Sequence, residues 1–411
     1  MLRAKPKSFD SRAARSVFLA FLKLGLTSFG GPTAHIGYFR HEFVTRRQWL
    51  NDAQFAQLVA LCQILPGPAS SQVGFSIGLL RAGWLGGFMA WCGFTLPSVV
   101  AMVAVAIAAP FAFHNTLGDA LVHGLKLAAV VIVTQALLDM ARRLCPGVRH
   151  AAIALLAGAC LFISPLAWSQ WMVLLGGAFL GSLLLRPSIA YETEAASIDS
   201  ASIFCVPFSR VAAYACLSTF AVLLIVLPVV ADVTRLQGIR LFDAFFRSGA
   251  LVFGGGHVVL PLLKAATVDS GWIGTNLFLG GYAAAQALPG PLFTFATFLG
   301  WSIGVPQSWG GAAIATIAIF LPGLLLVAGA LPFWEAASRH TAMRGPLAGI
   351  NAAVVGLLAH ALYDPLWTTT VRSLADVVFW AIALGITLKL RLPPLAVVLL
   401  STGVGMCIAL F

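Results

Sequence analysis

Charge is what this chain has least of. Asp, Glu, Lys and Arg make up 9% of its 411 residues, against about 25% in a soluble globular domain. Such a chain cannot keep a water-facing surface all round, which excludes an ordinary soluble protein. The seven cysteines, at 62, 92, 145, 160, 205, 216 and 407, include no Cys-x-x-Cys pair and no Cys/His cluster. They read as small apolar residues, with no disulfide framework and no metal site. There is no Walker A phosphate loop, and His41-Glu42 lacks the second His of a zinc-protease helix. ATP-driven pumping by this chain alone and metalloprotease chemistry are thereby disfavoured. The chain reads as a non-enzyme without a cofactor.

Hydrophobic residues, by contrast, reach 60%, and the mean hydropathy is +0.93. Apolar stretches of about 20 residues recur along the whole chain, the length that crosses a hydrocarbon core of roughly 30 Å. Forty glycines and 21 prolines are scattered through it, many inside those stretches. Bilayer helices tolerate them where neighbours or a cavity satisfy the freed backbone groups. The expected class is an all-α polytopic membrane protein. Net charge is +11 and the pI near 9.7. Most basic residues fall in short loops, so topology and anionic lipid explain them better than nucleic acid. The basic start has no convincing cleavage site and reads as a cytoplasmic tail, residues 1–15.

An internal repeat is visible. Residues 22–32, LKLGLTSFGGP, resemble 246–256, FRSGALVFGGG. Gln63, Leu65, Pro66, Gly67 and Pro68 recur as Gln286, Leu288, Pro289, Gly290 and Pro291, and Trp49 as Trp272. Gly86-Gly87 returns as Gly310-Gly311, the FTLP at 94–97 as FLP at 320–322, and residues 124–139 align without gaps to 349–364. The ordered Gly, Pro, Gln and Asp landmarks carry weight that Leu and Val matches lack. Two repeats, 16–185 and 242–411, are expected, with a linker at 186–241 that holds one further helix. About six crossings per repeat are counted, including 16–34 and 54–80 as single spans. The odd linker helix then inverts the second repeat. Basic residues outnumber on the amino-terminal side, with Arg40, Arg46, Arg47, Arg235, Arg240 and Arg372 assigned to the other face. A re-entrant hairpin at either Pro-Gly-Pro would change the local count. The amino end is expected inside and the carboxyl end outside.

The two Pro-Gly-Pro elements are the leading site candidates. Proline lacks the amide donor and glycine permits unusual angles, so each should split a helix. The halves starting near Ala69-Ser70 and near Leu292 would then present free N–H groups and a positive dipole end to an anion. Breaks at matching places in two repeats point to a transporter's binding site. A packed kink would use the same residues, but the matched pair after Gln63 and Gln286 favours a site. Gly30-Gly31 and Gly254-Gly255 are similar breaks, or else close-packing small residues. Lys23 and Arg247 each precede an FGG break by seven residues, about 10 Å along a helix. Matched cations in spans suggest a counter-charge for an anion, unless they snorkel to the interface. Lys126, with His123 one turn before it, is a coupling candidate, or a partner of Asp119 or Asp139. His35, His257 and His360 could relay protons, although packing histidines are commoner. Asp139 and Asp364 read as interfacial salt-bridge partners.

FLKLGLTSFGGPTAHIGYFRHEFV at 21–44, QILPGP at 63–68, FGGGHVVLPLL at 253–263 and QALPGP at 286–291 resemble the chromate ion transporter family, in its long two-domain form. The resemblance covers essentially the whole chain. It implies a secondary transporter of the inner membrane that exports chromate and confers resistance, coupled to the proton-motive force. It also implies weight on Gly30, Gly31, Pro66, Gly67, Pro68, Gly254, Gly255, Pro289, Gly290 and Pro291. One departure is that Pro32 becomes Gly256 in the second copy. Sulfate, the same shape and charge, stays open as substrate. So do import instead of export, a passive anion channel, and a homodimer.

Overall fold

The computed structural model describes residues 11–112, 116–163, 169–185, 208–253, 256–304, 309–334, 344–390 and 392–410. Gly254, Gly255 and the polar part of the linker, 186–207, lie outside the described residues, as does the start of the tail, 1–10. Every regular element among those described is helical. In the first repeat these are α1 (Ser11–Thr27), α2 (Gly31–Arg40, running on as a π turn His41–Arg46), α3 (Asp52–Ile64), α4 (Ala69–Ala112), α5 (Thr116–Leu144), α6 (Val148–Ile163) and α7 (Ser169–Leu184). The linker helix is α8 (Arg210–Thr234). The second repeat holds α9 (Gln237–Ala250), α10 (Val259–Leu263), α11 (Thr275–Ala287), α12 (Phe295–Ile303), α13 (Trp309–Ala330), α14 (Arg344–Ala361), α15 (Leu374–Leu390) and α16 (Pro394–Leu410). Among the described residues five helical stretches are long and apolar enough to cross a bilayer: Ala69–Pro110, Val122–Leu144, Arg210–Thr234, Trp309–Phe333 and Gly345–Thr370.

Helices end where the motifs demand it. α1 stops before Gly30 and Gly31, whose φ of +99° and +76° lie where side-chain-bearing residues are disfavoured. α3 stops at Ile64 and α4 begins at Ala69, on either side of Gly67 with φ +124°. In the second repeat α11 ends at Ala287, and a 3-10 turn, Leu292–Thr294, leads into α12. α3 starts with a capping box in which Asn51 and Gln54 satisfy each other's backbone amides.

What the breaks do differs from the expectation of single spans at 16–34 and 54–80. The chain turns back at each one. Phe21 in α1 lies 5.5 Å from Phe39 and stacks on Phe43 at 4.7 Å, and Arg47 reaches Ser16 near the start of α1 at 3.5 Å. Residues 11–46 therefore form a helical hairpin with the FGG at its tip. Arg81, near the end of the first limb of α4, sits 5.3 Å over the Trp49 ring just before α3, so the Pro-Gly-Pro also tips a hairpin. The second repeat repeats this: Arg240 lies over Trp272, and Gln237 donates to the Ile303 carbonyl at 3.2 Å. Packing supplies the reason. Apolar faces on both limbs of each hairpin bury against one another, which a straight broken span would leave unmatched.

α4 itself bends at Ala82-Gly83, where the backbone leaves helical angles. Its two limbs then pack through glycine: a Cβ on Gly78 would collide with the Gly86 carbonyl, and one on Gly86 with that of Gly78. Gly300 and Gly311 meet in the same reciprocal way.

The repeats also interlock. α5 packs on α15 and α16 of the other repeat, while α14 packs on α6 and α7. Gly124 abuts Ser401-Thr402, and Gly349, its counterpart, abuts Gly177 and Gly181. The molecule thus consists of two bundles, each drawn from both repeats. One holds the four hairpins and α13, and the other holds α5–α7 with α14–α16.

Candidate functional site

The four breaks meet. The Gly67 N–H donates to the Val252 carbonyl at 2.7 Å, and the Gly290 N–H donates to the Ser28 carbonyl at 3.0 Å. Ser28 and Val252 are equivalent positions, each just before the Phe of an FGG motif. Each Pro-Gly-Pro glycine is therefore bonded to the FGG break of the opposite repeat. The backbones come closer still. A Cβ on Gly67 would lie 2.8 Å from Gly323 Cα, and one on Gly290 would overlap the Ser98 hydroxyl. Gly323 and Ser98 are themselves equivalent, each following the proline of the repeated FTLP/FLP landmark.

This mirrored arrangement accounts for the departure at position 256. Pro32 and Gly256 face each other across the junction: a Cβ on Gly256 would stand 3.1 Å from Pro32 Cγ. Two proline rings at this point would compete for one space, so one copy carries glycine.

Polar side chains gather here. His35, fully buried, contacts the Ser28 carbonyl through Nε2 at 3.2 Å and Ser70 Oγ through Nδ1 at 3.4 Å. A carbonyl can only accept, so Nε2 carries the proton in that bond. Gln72, also fully buried, donates from Nε2 to the Pro66 and Gly323 carbonyls, both at 3.0 Å. Ser98 donates to the Pro289 carbonyl. On the other side His257 Nδ1 meets both the Tyr282 hydroxyl and Gln286 Nε2 at 3.1 Å. At the start of α4 the Gln72 amide is taken by the Pro68 carbonyl. The amides of Ala69, Ser70 and Ser71 stand as first-turn donors, which a helix cannot satisfy internally.

The expected residues are divided by the structure. Pro66, Gly67, Pro68, Ala69, Ser70, His35, His257, Gln286, Pro289, Gly290, Pro291 and Leu292 are at or beside the junction, and Gly30 and Gly31 shape the first FGG tip. Gln63 is exposed, while its counterpart Gln286 is buried. Lys23 is exposed on a face of α1 shared with Leu19 and Leu26, off the stripe of Phe21 and Leu24 that packs inward. Arg247 bonds to Asp243 on its own helix and lines a separate cavity of about 320 Å³ with Asp232, Arg240 and Trp272. The pair engages Nη2 only and leaves the buried Nε without a partner, a donor that the Asp243 carboxylate does not use.

The Asp119 side chain, one partner expected for Lys126 or His123, lies outside the described residues. Lys126 Nζ donates to Asn276 Oδ1 at 2.6 Å, and His123 Nε2 lies 2.8 Å from Asp376. Asp376 also caps the start of α15 by accepting from Ser373 N and Oγ. Lys126–Asn276 joins the two bundles, as do Gln170 with the Pro261 carbonyl and Lys264 with Asp364 at 3.1 Å. The last agrees with a salt-bridge role for Asp364. His360 borders a second cavity of about 290 Å³ beside Lys264, Asp269 and Asp364. Sequence reasoning missed Ser28, Ser71, Gln72, Thr95 and Ser98. Their signal was present, because each is polar in the midst of an apolar stretch.

A family model described as chromate transporter matches residues 15–182 and 239–406. A chromate transport protein of Pseudomonas aeruginosa is 28% identical, over 87% of this chain and 82% of its own length. An uncharacterized transporter of Methanocaldococcus jannaschii is likewise 28% identical, over 87% of this chain and 85% of its own. A chromate transport protein of Cupriavidus metallidurans is 24% identical, over 85% and 81% respectively. No solved structure matches the chain.

Proposed function

The chain belongs to the chromate transporter family, and from that premise we propose that it is a secondary transporter that exports chromate across the inner membrane, driven by the proton-motive force, and so confers chromate resistance. The observation that carries this reading is the reciprocal pair of bonds, Gly67 N–H to Val252 and Gly290 N–H to Ser28. They draw the tips of four hairpins together, with the helix start after Pro68 and the turn after Pro291 beside them. Oriented backbone donors inside a low-dielectric bundle suit a dianion such as CrO4²⁻.

Hairpins that return to their own face support an inverted arrangement of the repeats. Each pair of hairpins adds no net crossing, so the first repeat keeps an even count, and α8 makes it odd. Arg40, Arg46 and Arg47 then join Arg15 and Arg81 on the starting face, while Arg235, Arg240, Lys264 and Arg372 fall on the other. That distribution fits a cytoplasmic amino end and an external carboxyl end. Because the repeats interlock, alternating access takes the form of the hairpin bundle shifting against the bundle of α5–α7 and α14–α16, and not of one repeat rocking on the other.

Purified protein in liposomes tests the reading. Imposing a proton gradient and membrane potential should accumulate chromate against its gradient, and a protonophore should abolish this. Equilibration without accumulation would identify a channel. Accumulation of sulfate with exclusion of chromate would overturn the substrate assignment, and cells made more sensitive to external chromate would overturn export.

A further inference from the structure

The junction is symmetric in its backbone and asymmetric in its side chains. Aligning the repeats through their landmarks sets Ser28 against Val252, Ser70 against Phe293, Gln72 against Phe295, Thr95 against Phe320 and Ser98 against Gly323. At each of these positions the polar residue is in the first repeat. Phe293, Phe295 and Phe320 are buried and fill the corresponding space, with the Phe293 and Phe320 rings 5.8 Å apart.

The two Pro-Gly-Pro turns also differ in how the hydroxyls beside them are satisfied. Thr294, the counterpart of Ser71, donates to the Pro291 carbonyl at 2.8 Å, and Thr297 pairs with Thr316 at 2.7 Å. Elsewhere in the bundles Thr134, Ser248 and Thr267 each donate to the carbonyl four residues back, while the buried Thr370 and Ser401 hydroxyls have no partner. Around the first Pro-Gly-Pro, Ser28 Oγ, Ser71 Oγ and Thr95 Oγ1 have no partner, although these residues are 0%, 3% and 2% exposed. Buried hydroxyls without partners are costly unless something else meets them. Ser71 is in the first turn of α4 itself. Ser28 is tied to that turn through His35, which touches both the Ser28 carbonyl and Ser70 Oγ. Thr95 neighbours Phe94, whose ring lies 5.1 Å from that of His35.

We propose that the oxyanion is bound on one side of the junction only. Its seat is the start of α4, where the amides of Ala69, Ser70 and Ser71 and the hydroxyls of Ser71, Ser28 and Thr95 donate to a tetrahedral dianion. The second repeat supplies the wall: Gly290 and Val252 hold the backbone, and the phenylalanines exclude water. This rests on the reading of the junction as the transport site, and it adds which half binds. Backbone donors and neutral hydroxyls favour an oxyanion of fixed charge, and they leave Lys23 and Arg247 outside the contact shell.

Binding of chromate, sulfate, molybdate and phosphate to the purified full-length protein tests the proposal, with Ser71→Ala, Ser28→Ala and Thr95→Val compared with Thr294→Val. Each first-repeat variant should weaken oxyanion binding about ten-fold or more, the loss of one hydrogen bond to a charged ligand. Thr294→Val should bind within about two-fold of wild type, since its hydroxyl is already engaged with Pro291. Melting in detergent identifies any variant that fails to fold, in which case Ser71→Cys, Ser28→Cys or Thr95→Ala takes its place. Wild-type affinity in all the first-repeat variants, or an equal loss in Thr294→Val, would overturn the one-sided seat. A protein that binds sulfate but not chromate, with the same pattern of variant sensitivity, would sink the chromate reading and uphold this one. Binding of none of the four would remove both.

Discussion

Gly290→Ala probes the junction most directly. At φ +94° an alanine suffers the left-handed penalty of about 1–2 kcal/mol. The new Cβ would also overlap the Ser98 hydroxyl, and forcing a packed neighbour aside costs about 1–3 kcal/mol. Moving Ser98 breaks its bond to the Pro289 carbonyl, worth about 1 kcal/mol. The expected loss is about 3–6 kcal/mol. Adding Ser98→Gly removes the overlap and makes this contact resemble that of Gly67 with Gly323. The double variant keeps the backbone strain and the missing bond and adds a mid-helix glycine, about 2.5–3.5 kcal/mol in all, and should be more stable than Gly290→Ala alone. Gly67→Ala has no such rescue. Its Cβ meets Gly323 Cα at 2.8 Å, and backbone cannot be shortened. Unfolding in mixed detergent micelles, followed by Trp fluorescence, gives the order of stabilities. A Gly290→Ala protein as stable as wild type, or a double variant no better than the single, would refute the close approach of the two repeats.

Three further outcomes follow from named contacts. Gly256→Pro should destabilise the fold by crowding Pro32, and adding Pro32→Gly should restore part of the loss; additive losses would mean the two residues do not face each other. Asp376→Ala should lower stability more than His123→Ala, by about 1 kcal/mol or more, because Asp376 also caps α15 through Ser373. Equal effects would show that only the His123–Asp376 pair matters. Arg247→Ala leaves the buried Asp243 carboxylate without its partner and should cost about 1–3 kcal/mol. Arg247→Ala with Asp243→Ala should recover most of that, and a thermal melt showing no recovery would argue that Arg247 acts through something other than this pair.

Much of the site could be read from particular residues. Proline without an amide and glycine with φ beyond a side chain's reach are local facts, so the breaks at 30–31, 66–68 and 289–291 were foreseeable. The matched order of Gly, Pro and Gln disclosed the duplication. The different settings of the matched Gln63 and Gln286 were not foreseeable, one being exposed and the other bonded to His257. The partner of His123 could not be foreseen either, since Asp376 lies 253 residues away. One usable signal was overlooked. Polar Ser28, Ser70, Gln72 and Thr95 align with Val252, Phe293, Phe295 and Phe320, an asymmetry open to inspection once the repeats are superposed.

By itself the sequence determined the membrane class, the two repeats and the points where helices must stop, because burial of apolar runs and backbone stereochemistry act over one element at a time. Whether the chain continues past such a point or reverses was decided in three dimensions. A break leaves both directions open, and the choice falls to the faces that must be buried: Phe21 against Phe39 and Phe43, and Arg81 over Trp49. The meeting of Gly67 with Val252 and of Gly290 with Ser28 has the same origin, since it needs two repeats already folded around each other.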